Sequence, residues 1–253
     1  MITFNHTSTL PPSKKNYPLE AVRRFGIIWM FLIFLLTFTT SCNSSKEVGP
    51  ETVGYDFYPL VVGNYRVYDV EEINYLITGF DTAIYQLREI ITDSIPSNDQ
   101  TTYLLRRDIR ENELDEWESD SVWTVTRTTN YLSITENNIP FIKLTFPVKE
   151  GKEWDGNSLN SRTEQIYYYE SIDTLLADSL TLDDQIQVVI EDVEENVTGV
   201  DLRSEAYVKG IGLVEKNYLT QKKCTSSDCG PDLGEVIAGR ALRQTLIEIG
   251  NEE

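Results

Sequence analysis

Histidine is all but missing from this chain: of 253 residues, only His6 carries an imidazole. Ser-His-Asp and Cys-His catalysis, and imidazole-ligated zinc or iron, need a ring nitrogen that titrates near neutrality or binds a metal. His6 falls in a leader described below, so chemistry in the mature chain would have to come from carboxylates, Tyr, Lys or Arg. Walker and dinucleotide glycine patterns are missing too, and nothing in the sequence calls for a cofactor. Basic residues are scarce, 22 against 41 acidic ones, for a formal net charge of −19. That balance repels phosphate backbones and disfavours nucleic acid as a partner.

Long apolar runs are also lacking. The longest, the twelve residues Ile27 to Phe38, falls well short of the ~20 needed to span a bilayer as a helix. A basic flank (Lys14, Lys15, Arg23, Arg24) precedes it and Thr39-Thr40-Ser41-Cys42 follows. This is the layout of a removable signal peptide over residues 1–41. Ser41-Cys42 resembles the lipobox of bacterial lipoproteins, in which a small residue precedes a Cys that becomes lipidated and is then the mature N-terminus; Thr39 stands where an aliphatic residue is usual. The resemblance implies acyl chains on Cys42 and attachment to a membrane. At about 0.8 kcal/mol per buried methylene, more than one chain gives stable anchoring where a single chain does not. Residues 42–54 hold little that can pack and read as a flexible tether, leaving 55–253 as the folded domain.

Two cysteines remain, Cys224 and Cys229, with four turn-forming residues between them. In an oxidising compartment the expectation is a disulfide closing a hairpin tip, worth roughly 2 kcal/mol for so small a loop. A zinc site would need two more soft ligands, and the redox-active arrangement has two intervening residues rather than four. Without its first 41 residues the chain has 253 − 41 = 212, enough for one sizeable core or two small ones. The leader holds four basic residues and one acidic one, so the mature charge is 18 − 40 = −22. The plain reading is a solvated coat that keeps a tethered, Tyr-rich protein soluble.

Period-two alternation dominates, and long helical faces are absent. Strands are predicted over 64–70, 83–91, 101–107, 121–128, 131–135, 141–146, 165–172, 185–191, 206–208, 212–219 and 241–249. Residues 174–184 suit a helical turn or a loop. The expected fold is all-β: a single antiparallel sheet system, a sandwich or partly open barrel of about ten to twelve strands. An internal echo, aromatic-Pro-aliphatic-x-x-Gly, occurs at Tyr58 to Gly63 and Phe146 to Gly151. Its physical content is a turn: Pro fixes φ, Gly permits a positive φ, and the aliphatic residue between them plugs the core. The second copy runs into Trp154-Asp155-Gly156-Asn157, where Asp-Gly favours a tight turn, and Trp154 is expected to pack against the core or an edge.

Phe57 to Tyr65, Phe146 to Asn157 and Tyr207 to Lys216 (YVKGIGLVEK) are similar to three signature stretches of uncharacterised outer-membrane lipoproteins of the Bacteroidota, with Arg66 where that group often has Trp. The resemblance implies an envelope location and an all-β build, and brings no substrate, cofactor or catalytic residue. Asp-(Ser/Thr)-aliphatic tripeptides are similar to the O-glycosylation acceptor of the same bacteria. They mark Thr82, Ser94, Ser121, Thr174 and Ser179 as glycan candidates, expected on exposed loops. Asp-Ser and Asp-Thr are also common turn starters.

Two acidic stretches, Glu111 to Glu118 and Glu191 to Asn196, carry enough carboxylates for glycoside hydrolysis or for calcium. Neither has the spacing of a calcium loop, and such density usually marks a solvated hairpin tip. In Tyr167-Tyr168-Tyr169 the outer two rings share one strand face, expected to serve cross-strand packing rather than sugar stacking. No residue emerges as catalytic or metal-ligating. The combined reading is a lipid-anchored, non-enzymatic outer-membrane protein that binds or scaffolds an unidentified protein, glycan or lipid. A carboxylate-based hydrolase acting on glycans and a calcium-dependent adhesion module stand as alternatives.

Overall fold

Alternating apolar and polar residues, broken by short polar turns, fold as twelve antiparallel strands: β1 Asn64–Leu76, β2 Gly79–Pro96, β3 Gln100–Arg110, β4 Glu118–Thr128, β5 Tyr131–Glu136, β6 Ile139–Thr145, β7 Glu153–Asp155, β8 Ile166–Ser171, β9 Gln185–Val193, β10 Gly199–Val208, β11 Gly212–Lys223 and β12 Val236–Asn251. The computed structural model describes residues 53–171, 185–227, 229 and 233–252. The leader, Cys42, nearly all of the tether, and residues 174–184 with Thr174 and Ser179 lie outside the described residues. Residues Val48–Glu253 belong to one compact unit.

The strands form one sheet in the order β6-β5-β4-β3-β2-β1-β12-β11-β10-β9-β8-β7, a nearly closed barrel in which β1 and β12 join the two halves of the meander. Curling twelve strands this far needs local breaks in the ladder. Bulges supply them in β1 at Val67/Tyr68, between β2 and β3 at Ile91/Asp93, between β5 and β6 at Leu132/Ser133, and between β9 and β10 at Arg203/Ser204.

Edge strands β6 and β7 meet at a seam closed mainly by side chains. Ile142 N donates to Gly156 O at 2.9 Å, and Trp154 Nε1 donates to Ile142 O at 3.0 Å. The Tyr169 hydroxyl donates to Thr145 O at 2.9 Å and accepts from Thr145 N at 2.8 Å, so one phenol satisfies both main-chain groups of an edge residue. Asn160 Nδ2 covers Pro140 O at 2.8 Å. An edge left bare would recruit other strands; here these contacts occupy main-chain groups of Pro140, Ile142 and Thr145 on β6. The Trp154 ring centre lies 4.6 Å from that of Tyr169, tilted, and 5.9 Å from that of Tyr167, edge-on, so these aromatics pack the seam as the sequence suggests.

Inside, one cluster runs around the barrel through Tyr68, Leu87, Ile91, Leu105, Val125, Leu132, Leu144, Val188 and Tyr207. A short 3-10 turn, Tyr55–Phe57, leads Phe57, Tyr58 and Leu60 into one end as a plug. Val53 packs on the same cluster, and its carbonyl accepts from Val148 N at 3.0 Å. Arg66 is buried with its guanidinium 4.5 Å from the Tyr58 ring centre and 3.3 Å from Ile211 O. Both motif glycines, Gly63 and Gly151, have positive φ, at 93° and 72°. Gly156 differs: its φ is ordinary, and it is small because a Cβ there would run into the Tyr167 ring.

Candidate functional site

Barrel-wall strands β9 to β12 and β1 carry a trough on the face opposite the core. Because side chains alternate, register rows show which residues share that face. One row runs Val189, Ser204, Asn217, Arg243, Glu71; the next runs Asp192, Leu202, Leu219, Ala241, Ile73. All ten line a groove of about 510 Å3. Its floor is apolar (Val189, Leu202, Leu219, Ala241, Ile73), and carboxylates rim it at Glu71, Glu170, Glu191 and Asp192. Two arginines lie among them. Arg203 is tied to Asp201 at 2.6 Å and to Gln165 at 3.2 Å, whereas Arg243 is 67% exposed and 3.9 Å from Glu215.

A second groove, about 560 Å3, shares Glu71 and Arg243 and continues beneath the β3–β4 hairpin tip, adding Asp69, Glu111 and Glu113. Arg110 fastens that tip, donating to Gln86 Oε1 and to Glu113 O, both at 2.8 Å, while Gln86 Nε2 donates to Asp69 Oδ1 at 2.9 Å. Trp117 lies between the Arg110 and Arg88 guanidiniums, 4.3 and 4.9 Å from its ring. The Glu111 stretch is thus a solvated hairpin tip, as its composition suggests, but one pinned over a groove. Glu191 to Val193 end β9, and the next acids form the β9–β10 turn.

Beneath the trough, on the core face, lies an ionic cluster with no signature in the sequence. Glu205, 1% exposed, accepts from Lys143 Nζ at 2.9 Å and from the Tyr207 and Tyr218 hydroxyls at 2.5 Å each, with Lys216 Nζ at 3.4 Å. Lys143 also forms an ion pair with Glu136 at 2.9 Å. The β5–β6 bulge leaves Lys143 without a cross-strand partner and helps turn it into the interior. Burial alone would raise the Glu205 carboxyl, but the two ammoniums and two phenols hold it far below the usual carboxylate range. Burial likewise works to lower the Lys143 ammonium, and Glu136 and Glu205 overcome it, raising it well above normal. Lys143 sits on β6 while Glu205 is on β10, so this ion pair bridges the seam from within. Higher in the barrel, Arg107 pairs with Glu89 at 3.3 Å and lies 3.7 Å over the Trp123 ring.

The described sequence-level candidates sit apart from the trough or at its border. Cys224 and Cys229 are disulfide-bonded in the β11–β12 connection. Thr82 is exposed on β2, Ser94 is half-buried on β2, and Ser121 is half-buried on β4 with its hydroxyl donating to Asp120 Oδ2 at 2.7 Å. These three occupy strands rather than loops, because the strands run several residues past the apolar cores from which they are recognised. Among the described residues, no three His, Cys, Asp or Glu side chains converge as a metal site.

No protein-family model matches the chain, and no curated protein matches it. Among solved structures it is similar to a protein from Bacteroides fragilis described as exported and as having a YmcC-like fold. The TM-score is 0.37 at 9% sequence identity, with 77% of this chain and 99% of that one covered. A likeness of that degree assigns no role to this chain.

Proposed function

We propose that this is a lipid-anchored outer-membrane protein, held through Cys42, that binds a partner without catalysing a reaction, and that the trough across β9 to β12 and β1 is its binding face. The carrying observation is the trough itself: an apolar, half-buried floor of Leu202, Leu219, Ala241 and Ile73 continuous across four strands of the outer wall, in a groove of a size that suits a ligand. The non-enzymatic reading draws support from where the most strongly perturbed carboxylate lies. Glu205 is sealed inside the barrel with two ammoniums and two hydroxyls on it, which leaves it no room to exchange protons with a substrate.

Two measurements test this. Intact-mass analysis of the native protein should find a chain beginning at an acylated Cys42; a retained leader or a bare thiol overturns the anchoring. A photo-crosslinking residue placed at Asn217 in the trough should give a discrete adduct in cells, while one at Val122, 60% exposed on β4, should not. No adduct at Asn217, or the same adducts at both positions, refutes the trough as the binding face.

A further inference from the structure

Resting on that reading, we infer that the trough takes a cationic, extended polypeptide segment: a strand-like stretch of about six residues in which apolar side chains alternate with Lys or Arg. Three observations set the chemistry. The floor is aliphatic and the rim acidic, with Glu71 at one end and Glu170 and Asp192 at the other. Arg203 is engaged by Asp201, Gln165 and Glu191, and Arg243 stands exposed beside Glu71, so four lining carboxylates against two guanidiniums leave the groove net acidic. From β9 to β1 the floor crosses four inter-strand gaps, about 19 Å at roughly 4.8 Å each, which is the reach of about six extended residues at ~3.3 Å apiece.

Alternation makes the fit. In an extended segment every second side chain faces the floor and can settle over Leu202, Leu219 and Ile73. The long aliphatic stems of intervening Lys or Arg residues let their charges reach the rim carboxylates. Ser204 and Asn217, in the row beside Leu202 and Leu219, offer hydrogen-bonding groups to a peptide backbone. Other ligand classes fit less well. Sugar recognition favours exposed aromatic faces, yet the one aromatic residue lining this groove, Tyr218, directs its hydroxyl inward to Glu205. Anionic lipid headgroups would meet carboxylates. Charge complementarity also makes association steered and salt-sensitive.

The test uses the purified mature protein and two fluorescently labelled hexapeptides, acetyl-(Leu-Lys)3-amide and acetyl-(Leu-Glu)3-amide, followed by anisotropy. The Leu-Lys peptide should bind, weaken as salt rises, and lose at least tenfold in affinity in the Glu71→Gln/Asp192→Asn variant. Both residues are exposed, so the variant should keep its fold, checked by its melting temperature. Because the whole body is acidic, a control variant removes the same charge elsewhere: Asp99→Asn/Glu150→Gln, in exposed connections outside the groove, should bind as the parent does. Equal loss in the control, or equal binding of the Leu-Glu peptide, overturns the inference. If the Asn217 crosslink persists in cells while the Leu-Lys peptide fails to bind, the trough keeps its role and the cationic occupant is refuted. Loss of the crosslink removes both.

Discussion

Replacing Glu205 by Gln should be among the most damaging conservative changes available in this protein. The substitution keeps the side chain's volume and removes one charge. Lys143 keeps Glu136 at 2.9 Å, whereas Lys216, 10% exposed at its side chain, loses its carboxylate at 3.4 Å, and the Tyr207 and Tyr218 hydroxyls lose a charged acceptor. Breaking a buried pair by removing one partner costs about 3–5 kcal/mol, because the remaining charge stays buried without compensation. Folding free energies are of order 5–15 kcal/mol, so much of the stability is at stake. With a urea m-value of about 1–3 kcal/mol/M, the midpoint at pH 7 should fall by roughly 1–5 M. The pH dependence supplies a second check. The folded Glu205 carboxyl is held below its unfolded value of 4.5, so its contribution is fully present above that pH and is lost as pH falls toward the folded value. Parent stability should therefore decline below about pH 4.5 more steeply than that of the Gln variant. A midpoint change worth under about 1 kcal/mol, with unchanged acid slope, would refute the account of the cluster as a seam-bridging ionic lock.

Tyr169→Phe leaves the core aromatic in place but strips donor and acceptor from Thr145; a loss of about 1–3 kcal/mol is expected, with faster amide exchange at Thr145 than in the parent. Gly156→Ala pushes a methyl into the Tyr167 ring and should cost about 1–3 kcal/mol by thermal melting, although its backbone conformation suits any residue. Replacing Cys224 and Cys229 together by Ser should cost roughly 2 kcal/mol, and reductant should destabilise the parent equally while leaving the variant unaffected. Trp117→Ala removes the ring between Arg88 and Arg110; crosslinking or exchange should report a looser 111–117 tip over the second groove, with global stability nearly unchanged.

Much of the architecture was legible along the chain. Eleven of the twelve strands are predicted from alternation, with most bounds stopping short because strands such as Gly79–Pro96 run on through exposed polar residues past the apolar stretch. The three-residue β7 escapes detection because it is too short to show a period, and it is defined by its pairing with Tyr167 and Tyr168. Tyr167 and Tyr169 face the core as their spacing requires.

The sequence by itself determined an all-β, antiparallel sheet system, left open between a sandwich and a partly open barrel, the paired Cys224 and Cys229, and the absence of imidazole chemistry beyond residue 6. These follow from period-two patterning, local spacing and composition, which need no knowledge of which strands meet. Closure, the ionic lock and the trough were decided only in three dimensions. Lys143 and Glu205 are 62 positions apart, and their side chains meet because the curling sheet carries β6 around to face β10. Bulges near these strands shift the face a residue presents, so strict alternation along the chain misplaces Lys143. The trough floor likewise takes residues from Ile73 to Ala241, gathered by register across β9 to β12 and β1. Local pattern sets which face a residue can take, and the joining of β1 to β12 sets what it meets there.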